Sequence, residues 1–311
     1  MSASHPPLRL LVLAAVGPMV WATTYIVTEK FLPPDRPLFS AMLRALPMGL
    51  VLLAWLRVLP PRGWWGRTVL LGILNIGAFF PLIYLSAYHL PGGVAATVQA
   101  ILPLLVMLWA FLLVRERAPV LRVLGGAVGL AGVALLVAGT TEGITFIGMF
   151  GAVASVLCTS LGAVLVKKWP PPVDSLTFVS WQLVVGGLAL VPFALLVEGA
   201  PPAIDLPAFA GYLWIGVAGT GIAYWCWFSA IRALPAGSVA LISLLNPVTA
   251  TVLGVALAAE LFGLPQAVGM VLVVGGVVLG QVTRRTGAGE PSGEPAGQGP
   301  VDELGPAPAR P

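Results

Sequence analysis

LPGGVAATVQAILP at Leu90–Pro103 returns as LPAGSVALISLLNP at Leu234–Pro247, 144 residues later, and each copy runs on to a glutamate at the same distance, Glu116 and Glu260. The same offset pairs Gly72 with Gly216, Gly77 with Gly221, Ala96 with Ala240 and Gly132 with Gly276. Matches of leucine or valine mean little in an apolar chain. A proline, a glutamate and an LPxG turn in one register are hard to reach by composition alone, so the chain reads as an internal repeat.

The repeat is written in apolar residues. Of 311 residues 58% are hydrophobic and only 9% charged, and the mean hydropathy is +0.97. That composition belongs in a bilayer. Runs of about 20 uncharged residues, each long enough to cross about 30 Å of hydrocarbon as a helix, recur along the chain. Ten spans are predicted: 10–29, 38–56, 68–88, 94–114, 120–139, 144–166, 176–197, 208–230, 237–259 and 264–283. A short segment, 1–9, precedes them. The stretch 286–311, rich in Gly, Pro and Glu, has too little apolar surface to offset chain ordering and is expected to be a disordered tail.

Five spans fall in each half, 10–139 and 144–283. Because five is odd, a helix running outward in the first half has a counterpart running inward in the second. The expected fold is therefore an all-α integral membrane protein of ten helices, built as two inverted five-helix repeats. Such halves pack about a pseudo-two-fold axis in the membrane plane and offer two states open to opposite sides. Arg57, Arg62, Arg67, Arg115, Arg117, Arg122, Lys167, Lys168 and Arg232 fall on one side of these spans, with Arg9, Arg284 and Arg285; Lys30 and Arg36 fall on the other. That asymmetry places both termini in the cytoplasm.

The chemistry of soluble partners is missing. Basic residues are dispersed among short loops, which argues against nucleic acid. Cys158 and Cys226 sit inside spans without CxxC or Cys/His spacing, and no metal or cofactor is expected. An intramembrane enzyme needs paired aspartates, a Ser/His dyad or an HExxH helix. The histidines are His5 and His89, and no aspartate lies within a span, so the chain is read as no enzyme.

The pattern resembles the drug/metabolite transporter superfamily, specifically its EamA-type ten-helix transporters, over nearly the whole of Leu10 to Gln281. The resemblance rests on WATTYIVTEK at Trp21–Lys30, on Arg44 in AMLRALPMGLVLL, and on LPAGSVALISLLNPVTATVLGVALAAE ending at Glu260. Ala22 stands where the family usually has glycine, and the sixth span lacks a tryptophan often found there. The resemblance implies a secondary transporter of small metabolites in an inner (plasma) membrane, an exporter of amino acids or related compounds. The alternatives are a carrier of nucleotide-sugar or phosphate-bearing metabolites, which would want more cavity cations than Arg44, and a lipid flippase.

The candidate substrate-contacting residues follow from the repeat. Pro103 and Pro247 remove helix hydrogen bonds to the carbonyls of Gln99 and Ser243, with Asn246 adjoining, so these positions are expected to kink the helices and offer polar groups to a solute. Gly221, Tyr224 and Phe228 share one helical face, and their repeat partners are Gly77, Phe80 and Tyr84. Trp21, Thr24 and Tyr25 would complete the cavity from the first span. Arg44, about 10 Å inside its span at 1.5 Å per residue, either binds an anion or ties carbonyls structurally. Glu29 and Glu260 sit at span ends as candidate gates. Glycines of spans five and ten suit close helix packing or a homodimer. The partners expected are thus a small-molecule substrate, the lipid bilayer and a second copy.

Overall fold

The structure, a computed structural model, describes residues 8–90, 95, 98–136, 145–258 and 263–281. Glu260 and the tail at 286–311 lie outside the described residues, as do the side chains of Tyr25 and Glu29. Among the described residues every regular element is helical. In chain order these are α1 (Leu8–Phe31), α2 (Pro37–Leu56), α3 (Arg62–His89), α4 (Leu102–Val114), α5 (Val120–Leu136), α6 (Phe146–Lys168), α7 (Ser175–Glu198) and α8 (Leu206–Ala233). The broken α9 (Ala236–Ile242 and Leu245–Ala258) and α10 (Leu264–Gln281) follow. Among the described residues eight helical stretches are long and apolar enough to cross a membrane. The apolar helices α4 and α5 are shorter; α4 is preceded by helical Val98 and Gln99 and a turn at Ala100 and Ile101.

Local chemistry sets the ends. The Asp174 carboxylate accepts the amides of Leu176 and Thr177 at 2.8 and 3.1 Å at the start of α7, and Asp205 accepts that of Ala208 at 2.8 Å at the start of α8. Helix α2 begins with Pro37, and its orphan amides at Leu38 and Phe39 donate to the Glu198 carboxylate, at 2.6 and 2.9 Å, from the far end of α7. Arg57 and Arg115 end α2 and α4 with φ of 55° and 59°.

The two repeats are inverted, and their packing shows the two-fold relation. Helix α3 packs on α6 of the other half, and its repeat counterpart α8 packs on α1; α4 lies on α6 as α9 lies on α1. The halves are therefore interlaced rather than side by side. The axis passes between α5 and α10, where Gly125 faces Gly276 and Gly132 faces Gly269, so the 144-residue offset exchanges one contact for the other. A Cβ on Gly125 would stand 2.5 Å from the Gly276 carbonyl oxygen, and one on Gly132 2.7 Å from that of Gly269. These glycines serve packing within the chain, which is what brings the backbones together where the hydrophobic effect cannot.

The π-helical stretches Ile73–Ala78 in α3 and Val217–Ile222 in α8 also stand 144 residues apart. Their shared place shows that the wide turn is a property of the repeat.

Gly276→Ala is expected to destabilise the protein by about 1–3 kcal/mol, because the methyl group meets rigid backbone. Gly275→Ala, where a Cβ meets nothing within 4 Å, is expected to leave the melting temperature unchanged. Thermal unfolding of the two variants in detergent, followed by size-exclusion fluorescence, checks the contrast.

Candidate functional site

A cavity opens between the halves, walled by α1, α3, α6, α8 and the two broken helices, with Arg44 reaching in from α2. Of the residues expected from the sequence, Trp21, Thr24, Arg44, Tyr84, Gln99, Tyr224, Phe228, Ser243, Asn246 and Pro247 line it. Phe80 sits one layer behind, fully buried, with its ring 6.0 Å from Tyr224. Pro103 is buried in the first turn of α4 and does not line the cavity.

The wall is aromatic. Trp21 lies 5.1 Å from Tyr224 and 5.5 Å from Trp227 between ring centroids, and Tyr224 lies 5.7 Å from Phe228. Tilted and edge-on pairs at these distances suit the ring quadrupoles and hold the wall rigid. Helix α8 supplies three of these rings, because Tyr224, Trp227 and Phe228 share one face at i, i+3 and i+4.

The wide turn of α8 explains how Arg44 is held. A π stretch takes carbonyls out of the α pattern. The Thr220 hydroxyl donates to Ile215 oxygen at 2.9 Å, and Gly219 oxygen accepts Trp21 Nε1 at 2.9 Å and Arg44 Nη2 at 3.0 Å. Arg44 Nε donates to Thr220 Oγ1 at 2.9 Å, and its guanidinium lies 4.4 Å above the centre of Phe80. Three helices thus converge on one loosened turn.

At the repeat-equivalent position the α3 bulge carries Asn75, whose Nδ2 donates to Gln182 Oε1 at 2.7 Å. Gly162 of α6 makes its room, since a Cβ there would collide with the Asn75 amide. Asn75 lines the cavity although the sequence reading missed it, as it missed Thr28, Phe79, Thr159 and Trp227. One signal was present: Asn75 and Asn246 are the only asparagines in the chain, and both reach this cavity.

Pro247 acts differently from the expected source of an open carbonyl. Before Pro247 the backbone tightens into three-residue turns, and Ser243 oxygen accepts the Asn246 amide at 2.9 Å. The Ser243 hydroxyl turns back to Ala240 oxygen at 2.6 Å. Both chain copies break one turn ahead of the proline, at Ala100 and Ile101 and at Ser243 and Leu244, and the helix restarts with proline in its first turn, where its missing N–H costs nothing. The break therefore offers side chains: Gln99, whose Nε2 donates to Ser155 Oγ at 2.6 Å, and Asn246.

Toward the end that carries Lys167, the cavity is closed by buried Val106, Ile231, Ala236 and Ala240. There Lys167 pairs with Glu116 at 3.2 Å and donates to Leu234 oxygen at 3.1 Å, joining both halves. Toward the opposite end Thr28, Ala87 and Asn246 are partly exposed.

The EamA-like transporter family matches residues 8–138 and again 146–280. Protein PecM of Dickeya dadantii is 37% identical over 276 residues, covering 88% of this chain and 93% of the relative. The uncharacterized inner membrane transporter YedA of Escherichia coli K12 is 26% identical over 270 residues, covering 84% and 87%. A solved crystal structure of 20% identity superposes with a TM-score of 0.74, covering 88% of this chain and 96% of that one, and is similar in fold.

Asn246→Ala and Gln99→Ala should separate. Among the described residues Asn246 has no side-chain hydrogen bond to lose, so its replacement is expected to leave the melting temperature unchanged and weaken solute handling about tenfold, one hydrogen bond's worth. Gln99→Ala also breaks the tie to Ser155 and is expected to lower both. Equal transport by wild type and both variants at equal amounts of folded protein would remove these residues from the site.

Proposed function

Because the chain belongs to the EamA-like transporter family, we propose that it is a secondary transporter that exports small metabolites, amino acids or related compounds, by alternating access. It is a multi-pass membrane protein. The observation that carries the reading is the cavity between inverted halves, aromatic on its walls with a few neutral polar groups, closed at one end by Lys167, Glu116 and a buried apolar plug. Aromatic faces and amide groups suit a solute with both an apolar body and a polar head. A broken helix in each half lets the backbone bend beside the cavity, where an irregular turn is tolerated.

The competing solutes fit less well. A nucleotide-sugar or phosphate ester brings at least two negative charges, and among the described residues lining the cavity Arg44 is the one cation. Among the same residues none is an aspartate, glutamate or histidine, which favours movement down the solute gradient over direct proton exchange in the cavity. A lipid flippase would need a lateral opening wide enough for two acyl chains, and the walls here are closely paired rings. The chain is read as a carrier and not as an enzyme, placed in an inner membrane with both termini cytoplasmic, so that Lys167 and Glu116 close the cytoplasmic side.

Two measurements test the reading. Comparison of metabolites released by cells with and without the protein, followed by purified protein in liposomes, should reveal a small amphipathic solute that equilibrates without a proton or sodium gradient; uphill accumulation tracking an imposed pH difference would overturn the uniport. Cysteines introduced at Asp35 and Asp205 should react with a membrane-impermeant thiol reagent in intact cells and those at Arg62 and Lys168 should not. The reverse labelling would invert the orientation.

A further inference from the structure

Helices α2 and α7 follow a register of their own. They begin at Pro37 and Ser175, 138 residues apart, and pack on one another symmetrically: Gly49 meets Val184, and Gly187 meets Leu46. Helices α3 and α8 keep the 144-residue offset. Under these two registers Gln182 is the counterpart of Arg44, and Asn75 is the counterpart of Gly219. Further contacts agree. A Cβ on Gly72 would stand 3.2 Å from the Gln182 backbone oxygen and one on Gly216 3.8 Å from that of Arg44, and Gly77 meets Gly186 as Gly221 meets Met48.

The hold of Arg44 on the α8 bulge therefore has a twin: Gln182 of α7 holds Asn75 on the α3 bulge, at 2.7 Å. The twins differ in strength. Arg44 gives α8 two charge-assisted hydrogen bonds and lies over Phe80, and the Trp21 indole shares the Gly219 oxygen. Gln182 gives α3 one bond between neutral amides. Its Nε2 is buried with no partner among the described residues, and the residue is 0% exposed. Donors left unmade in the interior cost free energy in this arrangement, and a shift of α3 against α7 that gave them an acceptor would recover it.

We propose that Gln182 is a positioning residue of the carrier. Its bond to Asn75 holds α3 where the cavity is closed at the Lys167 end, and this bond yields when the cavity changes sides, while the Arg44 hold on α8 persists. The proposal deepens the transporter reading and rests on it. Gln182 acts through Asn75, which lines the cavity; Gln182 does not. Two identical halves would favour neither of two exchanged states, so a preference needs unequal contacts at equivalent places. An amide pair on one bulge and a guanidinium on the other supply that inequality.

Cysteine accessibility reads the two states without a known solute. With Cys158 and Cys226 replaced by alanine, Ala87→Cys reports the partly exposed end of the cavity and Ala236→Cys the buried plug. The probe is N-ethylmaleimide, added to purified protein in detergent. Gln182→Met, close in volume but without the amide, is expected to raise the labelling rate of Ala236→Cys about tenfold and to lower that of Ala87→Cys, one hydrogen bond's worth of bias. Gln182→Glu keeps an acceptor oxygen at the same reach and should restore both rates. Thr220→Val loosens the Arg44 hold and should lower the melting temperature while leaving the ratio of rates unchanged. If Gln182→Met does not fold, Asn75→Ala breaks the same bond and carries the same expectation. Wild-type labelling after loss of the bond, no rescue by Gln182→Glu, or an equal change in Thr220→Val would each overturn the assignment. The two readings fail separately: the expected labelling shifts without flux of any solute in liposomes keep the Gln182 role and sink the carrier, while flux with an unaltered ratio in Gln182→Met keeps the carrier and sinks the Gln182 role.

Discussion

In hydrocarbon a backbone N–H or C=O without a protein partner has no water to turn to, and this requirement governs where the chain can depart from a regular helix. Besides the π stretch Ala194–Glu198 that ends α7, the departures among the described residues include the π stretches of α3 and α8 and the two breaks before Pro103 and Pro247, and these four lie on helices that wall the cavity. The two in the second half are repaired by protein. The α8 bulge is satisfied by Thr220, Trp21 and Arg44, and the α9 break by tight turns through Ser243 and Asn246. Irregular backbone is thereby converted into a fixed constellation of side chains.

The repeat builds two similar frames and then uses them differently. At equivalent bulges the first half has Asn75 and the second Gly219. One presents an amide side chain to the cavity; the other presents a bare carbonyl that draws in an indole and a guanidinium. Similarity of frame supplies two comparable packings for the moving parts. Dissimilarity of side chains puts an amide at one bulge and sets a guanidinium among the rings of Trp21, Phe80 and Tyr224 at the other.

The helices, their inversion and most cavity residues were legible because they follow from period, length and register, which a chain carries locally. Tyr224 and Phe228 could be placed on one face by counting. The bulges were not legible, because a π turn in α8 depends on a donor 198 residues earlier, and Thr220 reads as any threonine until Ile215 is seen beneath it. Both prolines mark interruptions, as the sequence predicts, but at Pro247 the carbonyl expected to be open is closed. A three-residue turn closes Ser243 oxygen within the strand of backbone itself, and periodicity does not distinguish that from a kink. For Arg44 the sequence allows two readings, and the geometry gives it a structural task at the α8 bulge.

The interlaced halves have a consequence for how the molecule is made. Synthesis delivers α1 through α5 to the membrane first, before any of α6 through α10 exists. At that stage α1 lacks α8 and α9, and α3 and α4 lack α6. Arg44 reaches the bilayer 175 residues before Gly219 and 176 before Thr220, so its guanidinium must be kept hydrated at the membrane surface until the eighth helix is inserted. Five finished helices are therefore an unfinished half, and the order of assembly in the membrane is the reverse of what the neat division into repeats suggests: the partners that complete the first half are the last to leave the ribosome.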